Sequence, residues 1–224
     1  MLKDTKEWIR GRLGEIVIFF TLLHFGFEMD DLADRTHDRA PLLHSRRGVI
    51  RSPDARGVKT AHVQFEFKTK TKHERWRGGG KDDPVKVSAR VEQGIDRRPW
   101  LDYRMAERRW RIPVVLCILA IEPAEILAAT LAQLGEPRRS PNESFDIVNW
   151  DIRRFSRIAS FDPQRLHRFF NSKEPRLLEL HERWLERIPP REEVEKILKW
   201  LDVRQGEFEV IRQHVFDQIE RGWK

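Results

Sequence analysis

Between residues 62 and 70 polar and apolar side chains alternate without a break. Val63, Phe65 and Phe67 fall on one side of an extended chain, while His62, Gln64, Glu66, Lys68 and Lys70 fall on the other. A period of two predicts a strand with one greasy face and one charged face. The period changes to that of a helix over residues 4–25, where Asp4 with Glu7 three positions on has the form of a capping box and Gly26 can close the C-terminal end. From Ile16 to Leu23 this helix is apolar nearly all round, which predicts burial between layers.

The remaining pattern supplies the other elements. Residues 28–47 are polar and read as a solvated loop; the acids and histidines in it (Asp30, Asp31, Asp34, His37, His44) lack the spacing of a ligand set. A strand or hairpin is expected around Leu42 to Ser52, and Arg56-Gly57 supplies the turn into the alternating strand. Thr71 to Pro84, with three consecutive glycines from Gly78, reads as a mobile loop. Asp96 is placed to cap a helix running through Arg111, with Trp100, Tyr103 and Trp110 on one stripe. Pro113 then opens the apolar strand 114–121. Residues 124–134 read as a short Ala/Leu helix, Pro137 to Pro141 as a linker, and 145–150 and 152–159 as strands. Helices are expected at 163–171, 174–188 and 190–221, the last interrupted near Gly206; in it Val194, Ile197, Leu198 and Leu201 follow i, i+3, i+4, i+7.

At 224 residues the chain can hold one generous domain, or a core with a helical appendage. Its single cysteine, Cys117, excludes a disulfide framework within the chain and a multi-cysteine zinc site. That residue stands in the run Val114–Leu119, where a buried structural thiol is expected, and the usage fits a reducing cytoplasm. The apolar run of the first helix is too short to span a bilayer. Glu15 borders it and Gly26-Phe27-Glu28-Met29 offers no small-residue cleavage site, so neither a membrane location nor secretion is expected.

Charge is distributed unevenly. Residues 35–111 hold 21 Lys and Arg against 10 Asp and Glu, whereas residues 1–34 hold 4 against 7 and residues 112–224 hold 18 against 19. The excess of eleven surrounds the alternating strand and points to a polyanionic partner, since each neutralised phosphate releases counterions. Lys70, Lys72, Arg75 and Arg77, the last two flanking Trp76, suit a phosphate backbone and a base face.

The chemistry sits in the same stretch. Pro53-Asp54 is followed, after an eleven-residue interval, by Glu66-Phe67-Lys68. Two carboxylates are hard oxygen donors for Mg²⁺, and a lysine beside them can stabilise charge or help to position and deprotonate an attacking water. Glu15 lies at helical spacing from Gly11, Ile18, Phe19 and Leu22, at the edge of a buried apolar face, where an unpaired charge is costly. Its partner is an Arg or Lys, a bound metal, or Lys68.

Pro53, Asp54, Glu66 and Lys68 resemble the motif of the PD-(D/E)XK nucleases, the superfamily of type II restriction endonucleases and archaeal Holliday junction resolvases. The order helix, three strands, helix, strand is that of the family's core, Gly14-Glu15 matches its first-helix carboxylate, and Gly94-Ile95 with Trp100 and Tyr103 looks like a segment of bacterial and phage members. The resemblance implies an α/β fold: a restriction-endonuclease-like αβββαβ core, with a mixed sheet flanked by helices, over residues 1–122. A mostly helical extension, residues 123–224, would pack on it. It implies a cytoplasmic, metal-dependent DNA endonuclease in which Asp54, Glu66, the Phe67 carbonyl and Glu15, directly or through water, hold Mg²⁺ or Mn²⁺. Lys68 would activate the water, and Tyr103 would line the site or serve as plain core. Two cuts across a duplex would favour a homodimer. The competing readings are a catalytically idle binding module on the same fold, and an unrelated basic RNA-binding or toxin-like protein, although no aromatic RNP strand or GXXG loop is present.

Overall fold

The structure is a computed structural model of the chain and describes residues 6–27, 29–31, 42–45, 48–51, 55–57, 63–76, 90–139, 147–187 and 189–220. Helix α1 (Lys6–His24) leads into strands β1 (Met29–Asp31), β2 (Leu42–Ser45), β3 (Gly48–Arg51), β4 (Ala55–Gly57), β5 (Val63–Lys70), β6 (Glu74–Trp76) and β7 (Arg90–Asp96). Helix α2 (Arg97–Trp110), strands β8 (Val114–Ala120) and β9 (Glu125–Thr130), the short helix α3 (Leu131–Leu134), and strands β10 (Arg138–Arg139), β11 (Ile147–Asp151) and β12 (Ser156–Ser160) follow. Helices α4 (Pro163–Asn171), α5 (Pro175–Glu186) and α6 (Arg191–Trp200), strand β13 (Arg204–Gln205) and helix α7 (Phe208–Glu220) come last.

The fold is α/β, with a mixed seven-stranded sheet flanked by helices and ordered β1-β4-β5-β8-β9-β12-β13. Among the described residues its one parallel pair is β5 with β8, joined by the crossover that contains α2; the other neighbours are antiparallel. A second, antiparallel sheet runs β10-β11-β7-β6, and β2 with β3 forms a separate hairpin. The two faces of the large sheet bury two cores. Val63, Phe65, Phe67, Val115, Cys117 and Leu119 meet α1 and the C-terminal helices on one side. On the other, Leu116, Ile118, Leu127 and Ala129 meet Trp100 and Tyr103 of α2 and Ile95, Val148 and Trp150 of the small sheet. Strand β8 is therefore buried at every position, as an inner parallel strand covered on both faces must be.

Local chemistry explains the ends of these elements. Gly26 takes φ 87°, its N–H reaches Leu23 O at 2.9 Å and the Phe27 N–H reaches Leu22 O at 3.0 Å. This is a Schellman-type closure, the role that the sequence predicts for Gly26. Asp4 lies outside the described residues. Asp96 precedes α2 but makes no side-chain cap bond. The helix is tied down at its other end, where the buried Glu107 accepts from the Val114 N–H at 3.1 Å and from Gln218 Nε2 at 3.0 Å. Burial raises the pKa of that carboxyl against the opposing effect of these donors and of Arg104 and Arg108.

Three expectations are corrected. Residues 124–134 do not form one helix: Glu125–Thr130 is a strand, and helix begins only after Thr130, whose hydroxyl accepts from Gln133 N while Gln133 Oε1 accepts from Thr130 N. Ala124 at φ 55° closes a tight turn after β8, and pairing against β8 outweighs the helical preference of Ala and Leu, since Ile126 and Ala128 enter one core and Leu127 and Ala129 the other. The segment expected as one loop from Thr71 contains β6, paired with β7. Residues 123–224, expected as a mostly helical extension, also supply β9, β12 and β13 to the large sheet, and their helices share the first core with α1.

His181 of α5 is packed 4.7 Å from the Phe169 ring at 7% exposure, and its Nε2 has no partner among the described residues. Burial pushes its pKa down to about 4 from 6.5. The unfolded chain takes up the proton first, so the stability linked to neutral His181 is present above about pH 6.5 and lost as pH falls towards 4. Denaturant titrations should show wild type losing up to about 3 kcal/mol more than His181→Phe between pH 7 and pH 4. Parallel losses would show that His181 is not buried as a neutral base.

Candidate active site

Strand β5 lies between β4 and β8 with both faces covered, and it nevertheless carries Gln64, Glu66 and Lys68 on the α2 side. Glu66 is opposite Leu116 and Lys68 opposite Ile118. Glu66 is 1% exposed. Lys68 Nζ stands 2.5 Å from its Oε1, and the Lys68 side chain, at 33% exposure, reaches the surface. The second oxygen, Oε2, is buried with no hydrogen-bond partner among the described residues. Together with burial, which acts more strongly, the Glu66 charge raises the pKa of Cys117 on β8. That thiol is fully buried and held as the protonated, structural group expected of it.

An orphaned carboxylate oxygen inside a protein carries a desolvation penalty of at least about 1–3 kcal/mol. The ammonium on Oε1 offsets the charge but leaves Oε2 without a partner among the described residues. A hard oxygen donor of this kind, beside a cationic side chain that opens to solvent, fits a divalent cation. Among the described residues no group of three or more His, Cys, Asp or Glu side chains is gathered for a metal. Asp54, the other expected ligand, lies outside the described residues, as does Arg77. Ala55, which follows Asp54 in the chain, is opposite Phe65, the residue before Glu66. Among the described residues β4 pairs with β5 from Val63 to Phe65.

Glu15 is brought near this strand by a close crossing. A Cβ on Gly14 would lie 1.8 Å from Thr69 Oγ1 and 2.8 Å from Thr69 Cβ, so α1 can approach β5 here only because residue 14 has no side chain. Thr69 Oγ1 in turn donates to Gly11 O at 3.4 Å. The crossing carries Glu15 towards the end of β5 that holds Lys68. Arg12 Nη1 lies 2.9 Å from Glu15 Oε2, and the Glu15 side chain is 23% exposed. An arginine partner is one of the alternatives that its position in the sequence leaves open.

The expected nucleic-acid contacts fall in different places. Lys70, partly exposed, ends β5; Lys72 is exposed just beyond it. Arg75 belongs to β6, opposite Val91. Tyr103 is 1% exposed within the second core, so the aromatic stripe of α2 is interior and its ring offers no face to a base in this conformation.

One polar cluster has no sequence signal. His73 Nε2 is 2.9 Å from Glu125 Oε1, and Gln93 Nε2 is 2.5 Å from His73 Nδ1, while Gln93 Oε1 is buried without a partner among the described residues. His73 lies between β5 and β6, while Gln93 of β7 and Glu125 of β9 are 20 and 52 positions from it, so no spacing rule links them. No model of a known protein family matches the chain, and no curated protein matches it.

Gly14→Ala should destabilise the fold by about 1–3 kcal/mol, the usual range for forcing a methyl into a filled space. Thr69→Ala removes two of the three opposing atoms, so the double variant should recover part of that loss in chemical denaturation. Additive losses in the two single variants would mean that the α1–β5 crossing is not limited by this pair.

Proposed function

We propose that this chain is a metal-dependent DNA endonuclease of PD-(D/E)XK type, hydrolysing phosphodiester bonds with an activated water. The observation that carries the reading is the setting of Glu66 and Lys68. They stand on a strand that receives β4 antiparallel on one side and β8 parallel, through a helical crossover, on the other. Within the large sheet, α1, β1, β4, β5, α2 and β8 follow in the order αβββαβ, with β1, β4 and β5 antiparallel and β8 added in parallel. That supports the restriction-endonuclease-like core implied by the motif. Pro53-Asp54 immediately precedes β4 in the chain, which supports delivery of Asp54 from a strand neighbouring β5.

On this reading Asp54, Glu66 and the Phe67 carbonyl, with Glu15 directly or through water, would hold Mg²⁺ or Mn²⁺. A bound divalent cation supplies Lewis-acid stabilisation of the charge that develops on phosphate. Glu66 keeps one oxygen for a cation and one for Lys68. Lys68 orients the water and takes part in its deprotonation, which its partly exposed position at the end of a buried pair permits. Lys70, Lys72, Arg75 and Arg77 contact phosphates and fix register along the substrate without reading bases. Carboxylates must be ionised to bind the cation, so metal affinity falls as pH drops.

A second reading, the catalytically idle binding module, has one observation in its favour. Arg12 engages Glu15, and Lys68 engages Glu66, so each described carboxylate of the motif has a cationic partner from within the chain.

Plasmid nicking by wild type, Lys68→Ala and Asp54→Ala in Mg²⁺, Mn²⁺ and Ca²⁺ separates the two. Lys68→Ala should still bind DNA but cleave about 10²–10⁴-fold more slowly, the range for loss of an acid–base group. Asp54→Ala should show no cleavage in any metal. Ca²⁺ should support DNA binding without turnover, because its looser, larger coordination holds the ligands without the Mg²⁺ geometry. Wild type that binds DNA and never cuts would establish the idle module, and equal cleavage by wild type and Lys68→Ala would place the chemistry elsewhere.

A further inference from the structure

Helix α2 presents a second charged surface. Its buried stripe, Trp100, Tyr103, Ala106 and Glu107, is committed to the interior. On the opposite face Arg98, Leu101, Met105, Arg108 and Arg109 are exposed, Leu101 and Met105 being among the most exposed large apolar side chains of the described residues. At about 100° per residue, Arg98, Met105 and Arg109 fall within about 40° of one another, and the two arginines are about 16 Å apart along the axis. No ion pair of Arg98, Arg108 or Arg109 occurs among the described residues. Arg104, by contrast, is bound to Glu136 at 3.1 Å and lies over the Trp100 ring.

From these features we propose that the outer face of α2 is a docking surface for the phosphodiester backbone of a nucleic acid. The inference rests on the nuclease reading and adds to it the course of the substrate away from the cleavage site. Three arginines spread over about 16 Å match the length over which one strand of a duplex, with a phosphate every ~3.4 Å, presents several charges. The other occupants fit less well. Two copies of this chain meeting through α2 would bring six arginines together, and like charges at close range oppose association. A lipid surface would need an apolar face to insert, and that of α2 is already buried in the core.

Position favours the same partner. Glu107 ties the C-terminal end of α2 to the start of β8, and a right-handed crossover runs its helix opposite to the strands it joins. The end of α2 bearing Arg98 is therefore directed towards the end of the sheet where Lys68, Lys70 and Lys72 leave β5. The arginines extend the basic surface of the candidate active site, and Leu101 and Met105 are spacers within it rather than its anchor.

The test is fluorescence anisotropy of a short labelled DNA duplex with the full chain in Ca²⁺ across a salt series, comparing wild type with the triple variant Arg98→Ala/Arg108→Ala/Arg109→Ala and with Leu101→Ala/Met105→Ala. Plasmid nicking in Mg²⁺ and thermal melting are followed in parallel. The triple variant should melt with wild type, bind the duplex about 10–100-fold more weakly at moderate salt, and show a salt slope lower by about three units, near 0.9 for each phosphate left without its arginine. The apolar variant should keep the wild-type slope. If wild type binds the duplex and the triple variant binds with the same slope, the inference falls, the nuclease reading stands, and the face is left to an acidic protein partner. A weakening confined to Leu101→Ala/Met105→Ala also overturns it. Wild type that neither binds nor nicks DNA removes the nuclease reading itself.

Discussion

A carboxylate sealed between two apolar layers is the constraint on which the rest of this structure depends. Glu66 stands on an inner strand whose two faces are both covered, and it is buried from water. One oxygen is held by Lys68, two residues along on the same face, and the other has no partner among the described residues. Replacing such a buried pair by apolar groups is often neutral or stabilising in proteins, so its presence is weak evidence for a contribution to stability. Buried charges of this kind concentrate at functional positions, and that association is the ground on which Glu66 is proposed as a metal ligand.

The surrounding elements make that cost sustainable. Strand β8, parallel to β5, is apolar at every position and seals the sheet on both faces, with Cys117 kept neutral beside the Glu66 charge. Helix α1 covers the opposite face at unusually short range, which only a residue without a side chain at position 14 allows. The C-terminal helices complete the cover: Phe169, Trp184, Val194, Leu198 and Val215 belong to the same core as Ile16, Val17 and Phe65. On the α2 side the small sheet closes the second core through Ile95, Val148 and Trp150. The polar face of β5 is thereby enclosed at the Gln64 and Glu66 level and opens at Lys68, where the strand reaches the surface.

The alternation of residues 62–70, the all-round apolar run of α1, the stripe of α2 and the continuous run of β8 were legible in the sequence, because each is a local period imposed by burying one or both faces of a regular element. The spacing that sets Glu66 and Lys68 on one face follows from the same rule, since a strand cannot place i and i+2 otherwise. What only the tertiary structure decided are matters of pairing and of which neighbour arrives. Glu125–Thr130 has helical composition and became a strand because β8 offered it an edge. The buried Tyr103 and the arginine partner of Glu15 were each one of the outcomes a periodic pattern permits. The bonds of His73 to Glu125 and Gln93 join segments far apart in the chain. Periodicity records how much of an element is covered; it carries no address for the group that covers it, and that address is written only when the layers pack.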